Sequence, residues 1–338
     1  MYYKYVLLAV SAAALLVPAS AGRAADPFRF TVTADMRGRH SNFDDLCQEI
    51  NTHVGGPGAF HVGIGDIDGR VWENRAVIDT RFGTDATWYP VIGNHEEEDG
   101  VEMEWLRDEY DNGNGSRTPL SHLTNADGPV GTQRGCYTWD HGNAHFIAMN
   151  PYWNGGTNEG AGQQTSGDDT ATDGDVVPAL RNWLAADLAG NTKPFVFVLG
   201  HEPAFPENRH VGDSLDKYPA NRDAFWQVLE DNDVQAFMNG HTHYYSKHQG
   251  DKNNVGETWQ IDVGHAGNYP AASEPMTFLH VTVGRDEATI EVWRGDGVGD
   301  FALADSIEVV PEPATLALLA VGGLGVLARR KKRSWRSG

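Results

Sequence analysis

Five short apolar runs, each followed closely by polar or charged residues, punctuate the chain. Phe28 to Val32 precedes Asp35, Phe60 to Ile64 precedes Gly65-Asp66, and Tyr89 to Ile92 precedes Gly93-Asn94-His95-Glu96. Phe195 to Leu199 precedes His201, and Val234 to Met238 precedes Gly240-His241-Thr242-His243. Runs of this length predict buried strands. Helical spacing appears between them. Ser41-Asn42-Phe43-Asp44 resembles a capping box, Phe43, Leu46 and Ile50 follow on one face, and Gly55-Gly56 stops the pattern. Val101 to Tyr110, Val177 to Leu188 (with Leu180, Trp183, Leu184 and Leu188 aligned) and Arg222 to Glu230 predict three more helices. Tyr137 to Asn150 predicts one or two strands, and Met276 to Val283 with Ala288 to Trp293 predicts a hairpin turning at Gly284-Arg285-Asp286. Asn154 to Asp175, rich in Gly, Thr and Asp, has no apolar period and predicts a solvated loop. Strands alternating with helices define an α/β domain, in which strand ends converge on one crevice.

The two ends follow other patterns. Lys4, the apolar stretch Val6 to Val17 and Ala19-Ser20-Ala21 make residues 1–25 an export signal, so the catalytic domain is expected to span 26–308. At the far end Pro311-Glu312-Pro313 leads into an apolar run, Ala314 to Ala328, and then Arg329-Arg330-Lys331-Lys332-Arg333. A run this short, closed by a positive block, suits transient anchoring in an inner membrane. Residues 309–338 resemble the PEP-CTERM sorting tail. The resemblance implies an exosortase-type partner and delivery to the cell surface or beyond.

Charge divides in the same way. Lys4 and Arg23 put +2 in the leader, and six bases against Glu312 put +5 in the last 28 residues. The −21 of the whole chain therefore leaves −28 on the stretch between them. Such a domain repels nucleic acid, which is excluded as the general partner. Cys47 and Cys136 form neither a disulfide framework nor a zinc-finger spacing, and a single bridge between them, though compatible with export, is not the expectation.

The residues at the strand ends suit phosphoester hydrolysis, which needs an activated oxygen nucleophile and neutralised phosphoryl oxygens. Two metal ions ~3.5 to 4 Å apart supply both. A carboxylate can bridge two ions, and Asp66 is the candidate. Neutral imidazoles and an amide oxygen complete the shells without excess charge, which suits His201, His241, His243 and Asn94. The ordered set from Asp35 to His243, above all Gly-Asn-His-Glu followed by Gly-His-Thr-His with His201 between them, resembles the calcineurin-like metallophosphoesterase superfamily.

That resemblance implies a four-layer α/β/β/α sandwich of two mixed sheets flanked by helices. It also implies that Asp35, Asp66 and His243 bind one ion, that Asp66, Asn94, His201 and His241 bind the other, and that His95 contacts the phosphate or protonates the leaving group. The ions would be divalent or trivalent, with Mn, Fe and Zn all compatible. Two positions depart from the family pattern. Arg37 stands where a histidine ligand is usual, and Gly69 stands where purple acid phosphatases carry a tyrosine, so no purple charge-transfer band is expected. Water, His40 or Asp68 are the options for the lost ligand, or Arg37 binds a phosphate oxygen directly, which is the preferred role.

Among the other histidines, His61, His141 and His145 are expected to be structural. His265, after a further strand, is a candidate to line the crevice, and His210 and Tyr244 flank site loops where they could select a substrate. The expectation is an exported hydrolase of small-molecule phosphoesters. The alternative is a catalytically decayed surface binding module of the same fold, associated with extracellular matrix.

Overall fold

The computed structural model describes residues 26–67, 69–98, 100–112, 123–125, 128–132, 134–153, 174–267 and 274–311. Residues 1–25, most of the Gly/Thr/Asp-rich stretch, Asp68 and the chain beyond Pro311 lie outside them. Thirteen strands are described: β1 (Phe28–Ala34), β2 (His61–Ile64), β3 (Trp88–Val91), β4 (Leu123–Asn125), β5 (Tyr137–His141), β6 (Ala144–Ala148), β7 (Phe195–Leu199), β8 (Ala236–Asn239), β9 (Tyr245–Gln249), β10 (Trp259–Val263), β11 (Met276–Val283), β12 (Ala288–Gly295) and β13 (Ala302–Val309). The helices are α1 (His40–Val54), α2 (Val71–Phe82), α3 (Asn94–Glu98), α4 (Gly100–Asn112), α5 (Pro178–Gly190) and α6 (Pro219–Asp231).

The strands form two mixed sheets. One has the order β13-β12-β11-β1-β2-β3 and the other β4-β5-β6-β7-β8-β10-β9. In the first, β1, β2 and β3 run parallel, and β11 pairs antiparallel with β1. In the second, β6, β7, β8 and β10 run parallel. The expected hairpin of β11 and β12 forms in register from Met276 opposite Gly295 to Val283 opposite Ala288.

Alternation along each strand builds the layers. Phe195, Phe197 and Leu199 join the core between the sheets, whereas Val196 and Val198 face the other way, onto Leu180, Leu184 and Leu188 of α5 and Phe225, Trp226 and Leu229 of α6. Helix α1 covers the far face of the first sheet with Phe43, Leu46 and Ile50. The result is the four-layer α/β/β/α sandwich. Aromatic rings fill its centre, with Phe30 and Phe60 4.9 Å apart and Tyr89 stacked on Trp139 at 3.9 Å between centroids.

One local expectation is corrected, and two elements escape the sequence pattern. No capping box forms at Ser41, because α1 begins one residue earlier with Arg39 as its N-cap and no side-chain cap bond. Helix α2 has no apolar stripe to betray it, because its buried face includes Asn74 and Arg75. Asn74 Nδ2 donates to the Ile67 carbonyl at 2.9 Å, and Arg75 pairs with Asp79 at 3.1 Å and lies over the Trp88 ring. Strand β13 escapes notice because six of its eight residues are not buried. Cys47 and Cys136 are both buried, and no disulfide joins them. His61 is a core residue, its ring nitrogens 2.9 and 3.0 Å from the hydroxyls of Thr31 and Thr33, with burial pushing it down to about 3. His145 is structural too, held between Asp140 and Asp187, and the His141 ring packs on Phe28.

Candidate metal centre

All five strand endings meet at one end of the two sheets. Asp35 follows β1, Asp66 follows β2, Asn94 opens α3 after β3, His201 follows β7, and His241 and His243 follow β8. The Asp66 Oδ1 atom lies 3.2 Å from His201 Nε2, and Asp35 Oδ1 lies 3.3 Å from His243 Nε2 and 3.9 Å from His201 Nε2. Ligand atoms of Asp35, Asp66 and His243 all fall within 4.8 Å of one another. The backbone amide of His241 donates to the second oxygen of Asp35 at 2.9 Å.

The local backbone is as distinctive as the side chains. Asp35 (φ 53°), Asp66 (φ 49°), His241 (φ 73°) and His243 (φ 62°) all occupy the left-handed region that residues with a Cβ avoid. Such conformations persist where the surroundings over-determine them, and they concentrate at functional sites. Glycines make room: a Cβ at Gly65 would strike the His201 ring, and one at Gly240 would strike the Asp35 carboxylate.

Buried carboxylates tie the turns together. Glu96, the last residue of Gly-Asn-His-Glu, accepts from the amides of Gly93 at 2.7 Å and Asp66 at 3.0 Å, so the motif's glutamate joins the β2 and β3 turns. The Thr242 hydroxyl donates to Asp262 Oδ2 at 2.6 Å, while Gly264 N donates to Asp262 Oδ1, anchoring the loop that carries both histidines. Glu202 accepts from Gly174 N at 2.8 Å, with its Oε1 4.0 Å from His241 Nε2. Sequence reasoning assigned no role to Glu96, Glu202 or Asp262, although each sits inside or beside a motif that it quoted.

The donor set fits metal ions. Asp35 Oδ1, Asp66 Oδ1, Asn94 Oδ1, His201 Nε2, His241 Nε2 and His243 Nδ1 are buried without a hydrogen-bond partner. Buried polar atoms are ordinarily satisfied, so this many orphans on neighbouring residues is a signature of absent ligands. Electrostatics agree. Burial favours neutral His201, but Asp66 and then Asp35 outweigh it and raise its pKa to about 10. The same partner holds Asp66 far below the usual carboxylate range against the opposing effect of burial. The cluster thus calls for positive charge between Asp66 and His201. Burial, the largest effect, pushes His241 well down, toward the neutral imidazole that coordination requires.

Arg37 and His95 sit together on the open side. Arg37 Nη1 lies 2.5 Å from His95 Nε2, which in turn is 3.7 Å from Asp66 Oδ2. The His210 ring stacks on His241 at 4.1 Å, bringing this loop residue to the site. His265 is placed differently. It is fully buried, its Nδ1 accepts from Gly267 N at 3.2 Å, its Nε2 lies 3.1 Å from the Glu274 carbonyl, and it is within electrostatic reach of Asp35 and His243. His40 also faces elsewhere, with Nδ1 3.0 Å from Asn74 Oδ1 and Nε2 3.1 Å from Glu73 on α2. It does not replace the ligand missing at Arg37. Asp68 lies outside the described residues.

With this geometry in hand, the chain belongs to the calcineurin-like phosphoesterase family, whose pattern matches residues 28–245, well over half of its length. The PEP-CTERM protein-sorting motif matches residues 309–333. Solved structures similar in fold include PhoD (12% identity, TM-score 0.58, covering 86% of this chain and 71% of that one). Another is GAP50, the anchor in the inner membrane complex of Plasmodium (12% identity, TM-score 0.54, covering 85% and 90%). Identities this low speak for the fold alone. No curated protein matches the chain.

Proposed function

We propose that the protein is an exported, metal-dependent hydrolase of small-molecule phosphoesters, with Asp35, Asp66 and His243 holding one ion and Asp66, Asn94, His201 and His241 the second. The observation that carries this reading is six buried, unpartnered polar atoms on residues at five strand ends, with ligand atoms of Asp35, Asp66 and His243 within 4.8 Å of one another. Two ions held there would activate water and neutralise the phosphoryl oxygens, and Mn, Fe and Zn all suit the mixed oxygen and nitrogen donors. Asp66 would contribute to both ions; its Oδ1 lies 3.2 Å from His201 Nε2 and its Oδ2 3.7 Å from His95 Nε2.

Arg37 serves the substrate. A guanidinium offers only donors, so at 2.5 Å it must donate to His95 Nε2, which places the single proton of a neutral His95 on Nδ1. An incoming phosphate takes the Arg37 fork bidentately and releases His95 Nε2. His95, part-exposed beside Asp66, would then take a proton from solvent water on the freed Nε2 and pass it to the departing alkoxide oxygen, which leaves as the alcohol. His210, packed against His241 with ring centroids 4.1 Å apart, would border a bound substrate. The tail that matches the sorting motif supports delivery through an exosortase-type enzyme to the cell surface or beyond.

The test is direct. Asn94→Ala and Asp66→Ala should lower hydrolysis of an aryl phosphate at least about 10³-fold, as loss of a ligand or bridging group does in metal-assisted catalysis, with the circular dichroism spectrum unchanged. Undiminished turnover by a metal-loaded Asn94→Ala protein would refute the proposal. A second reading, a binding module that has lost catalysis, draws on Arg37 standing at the usual histidine position. It requires at most one loosely held ion and no turnover of mono- or diesters with Mn, Fe or Zn added.

A further inference from the structure

We propose that the sorting tail fastens this domain to a membrane by the pole opposite its metal centre, so that while tethered it faces away from the bilayer and acts on soluble phosphoesters, not on phosphorylated lipids. The orientation follows from strand registers, and the substrate class rests on the hydrolase reading above.

Across the first sheet, Phe28 pairs with Val283, Val283 with Ala288, and Ala288 with Val309. The start of β1, the β11–β12 turn and the end of β13 therefore share one edge. The candidate ligand Asp35 lies at the other end of β1, seven strand residues away, about 23 Å at ~3.3 Å per residue. The second sheet is aligned with the first. Its parallel strands β6 and β7 begin beside that same edge, where Asn143 Nδ2 donates to the Gly284 carbonyl at 2.9 Å. Val310 and Pro311 line a cleft there with Asn143, Lys193, Arg285 and Asp286.

No slack separates fold from tail. The sorting motif begins at Val309, the last residue of β13 and still paired with Ala288. The apolar run begins at Ala314. Five residue steps span at most about 18 Å when fully extended. Turning the domain over, with the metal centre against the bilayer, would require the leash to run the whole height of the strand layer and the loops beyond it. A leash shorter than the strands forbids that. Substrates must then arrive from the aqueous side, and cleavage by the sorting enzyme takes place at the blunt pole, away from the site.

The test uses the full chain in phosphatidylcholine/phosphatidylglycerol vesicles carrying a headgroup-attached nitroxide quencher. Single cysteines are introduced by Asp286→Cys at the tail pole, where that side chain is 88% exposed, and by Val211→Cys next to His210, where exposure is 66%. The native Cys47 and Cys136 are buried and escape labelling. Fluorophore at 286 should be quenched at least threefold more than at 211. Equal or reversed quenching, or failure of the protein to float with the vesicles, overturns the proposal. For the substrate class, the tethered protein should hydrolyse a soluble aryl phosphate within twofold of the tail-cleaved protein. It should be at least tenfold slower on a phosphorylated lipid in its own vesicle than on the same headgroup in short-chain, monomeric form. Equal rates on the two headgroup forms would sink the substrate claim. No turnover of any ester by tethered or cleaved protein refutes the hydrolase reading instead, while the quenching ratio still decides the orientation.

Discussion

Arg37 is the residue on which substrate affinity turns in this proposal. Its amide donates to the Asp66 carbonyl at 2.9 Å and its side chain reaches His95, so the cation is delivered to the edge of the centre by the turn after β1. A charge-assisted hydrogen bond is worth roughly 1.5–3 kcal/mol. Arg37→Ala should therefore lower kcat/KM about 10- to 100-fold, chiefly through KM, with metal content per protein unchanged by elemental analysis. Loss of one ion with KM preserved would show instead that Arg37 supports the metal shell. Arg37→Lys should recover only part of the effect, because an ammonium cannot form the two-pronged contact.

At the scale of elements, the second sheet carries a charged clasp. His145 on β6 has Nδ1 2.7 Å from Asp140 on β5 and Nε2 2.7 Å from Asp187 on α5, with Lys193 3.6 Å from the other oxygen of Asp140. Only the imidazolium can donate from both nitrogens. Burial opposes the charge, but Asp187 and Asp140 outweigh it and raise the pKa of His145 above its ordinary value. A pKa raised on folding adds stability below the unfolded value near 6.5, and that stability is lost as pH climbs through the folded value. The Tm advantage of the natural protein over His145→Gln should thus be larger at pH 6 than at pH 9. The difference should correspond to about 1 kcal/mol, because Asp140 is exposed and Asp187 only partly buried, so solvent screens both pairs. A pH-independent gap would mean that His145 is neutral in the fold.

For the whole molecule, the candidate metal centre is a concentration of stress that cation binding would relieve. Two buried carboxylates, three imidazoles and an amide face one another, four of these six residues on left-handed backbone. A ligand at 100 times its dissociation constant stabilises a folded protein by about 2.7 kcal/mol. For a domain of this size that is several degrees, so chelation should lower Tm by about 5–10 °C and Mn or Zn should restore it in a concentration-dependent way. An Asp66→Ala protein should show a much smaller metal response in the same scan. An unaltered Tm on full chelation would mean that the orphaned donors do not gather ions.

The order of the strands that carry the candidate site, and the residues that gather at their ends, were readable in the chain itself, because buried strands leave uniform apolar runs and their ends leave glycines with Asp, Asn and His. Helix α2 was not readable, since its inner face is built from Asn74 and Arg75, which satisfy one another's surroundings rather than form an apolar stripe. Nor was the fate of individual histidines. His210 and His265 are alike as letters, yet one stacks on His241 while the other is spent on the backbone of its own segment. Local sequence dictates period, turn chemistry and donor type, all properties of a few neighbouring residues. Which donors face each other, which remain orphaned and which pole receives the tail depend on registers between strands as far apart as Phe28 and Val283, and those exist only once the two sheets have packed.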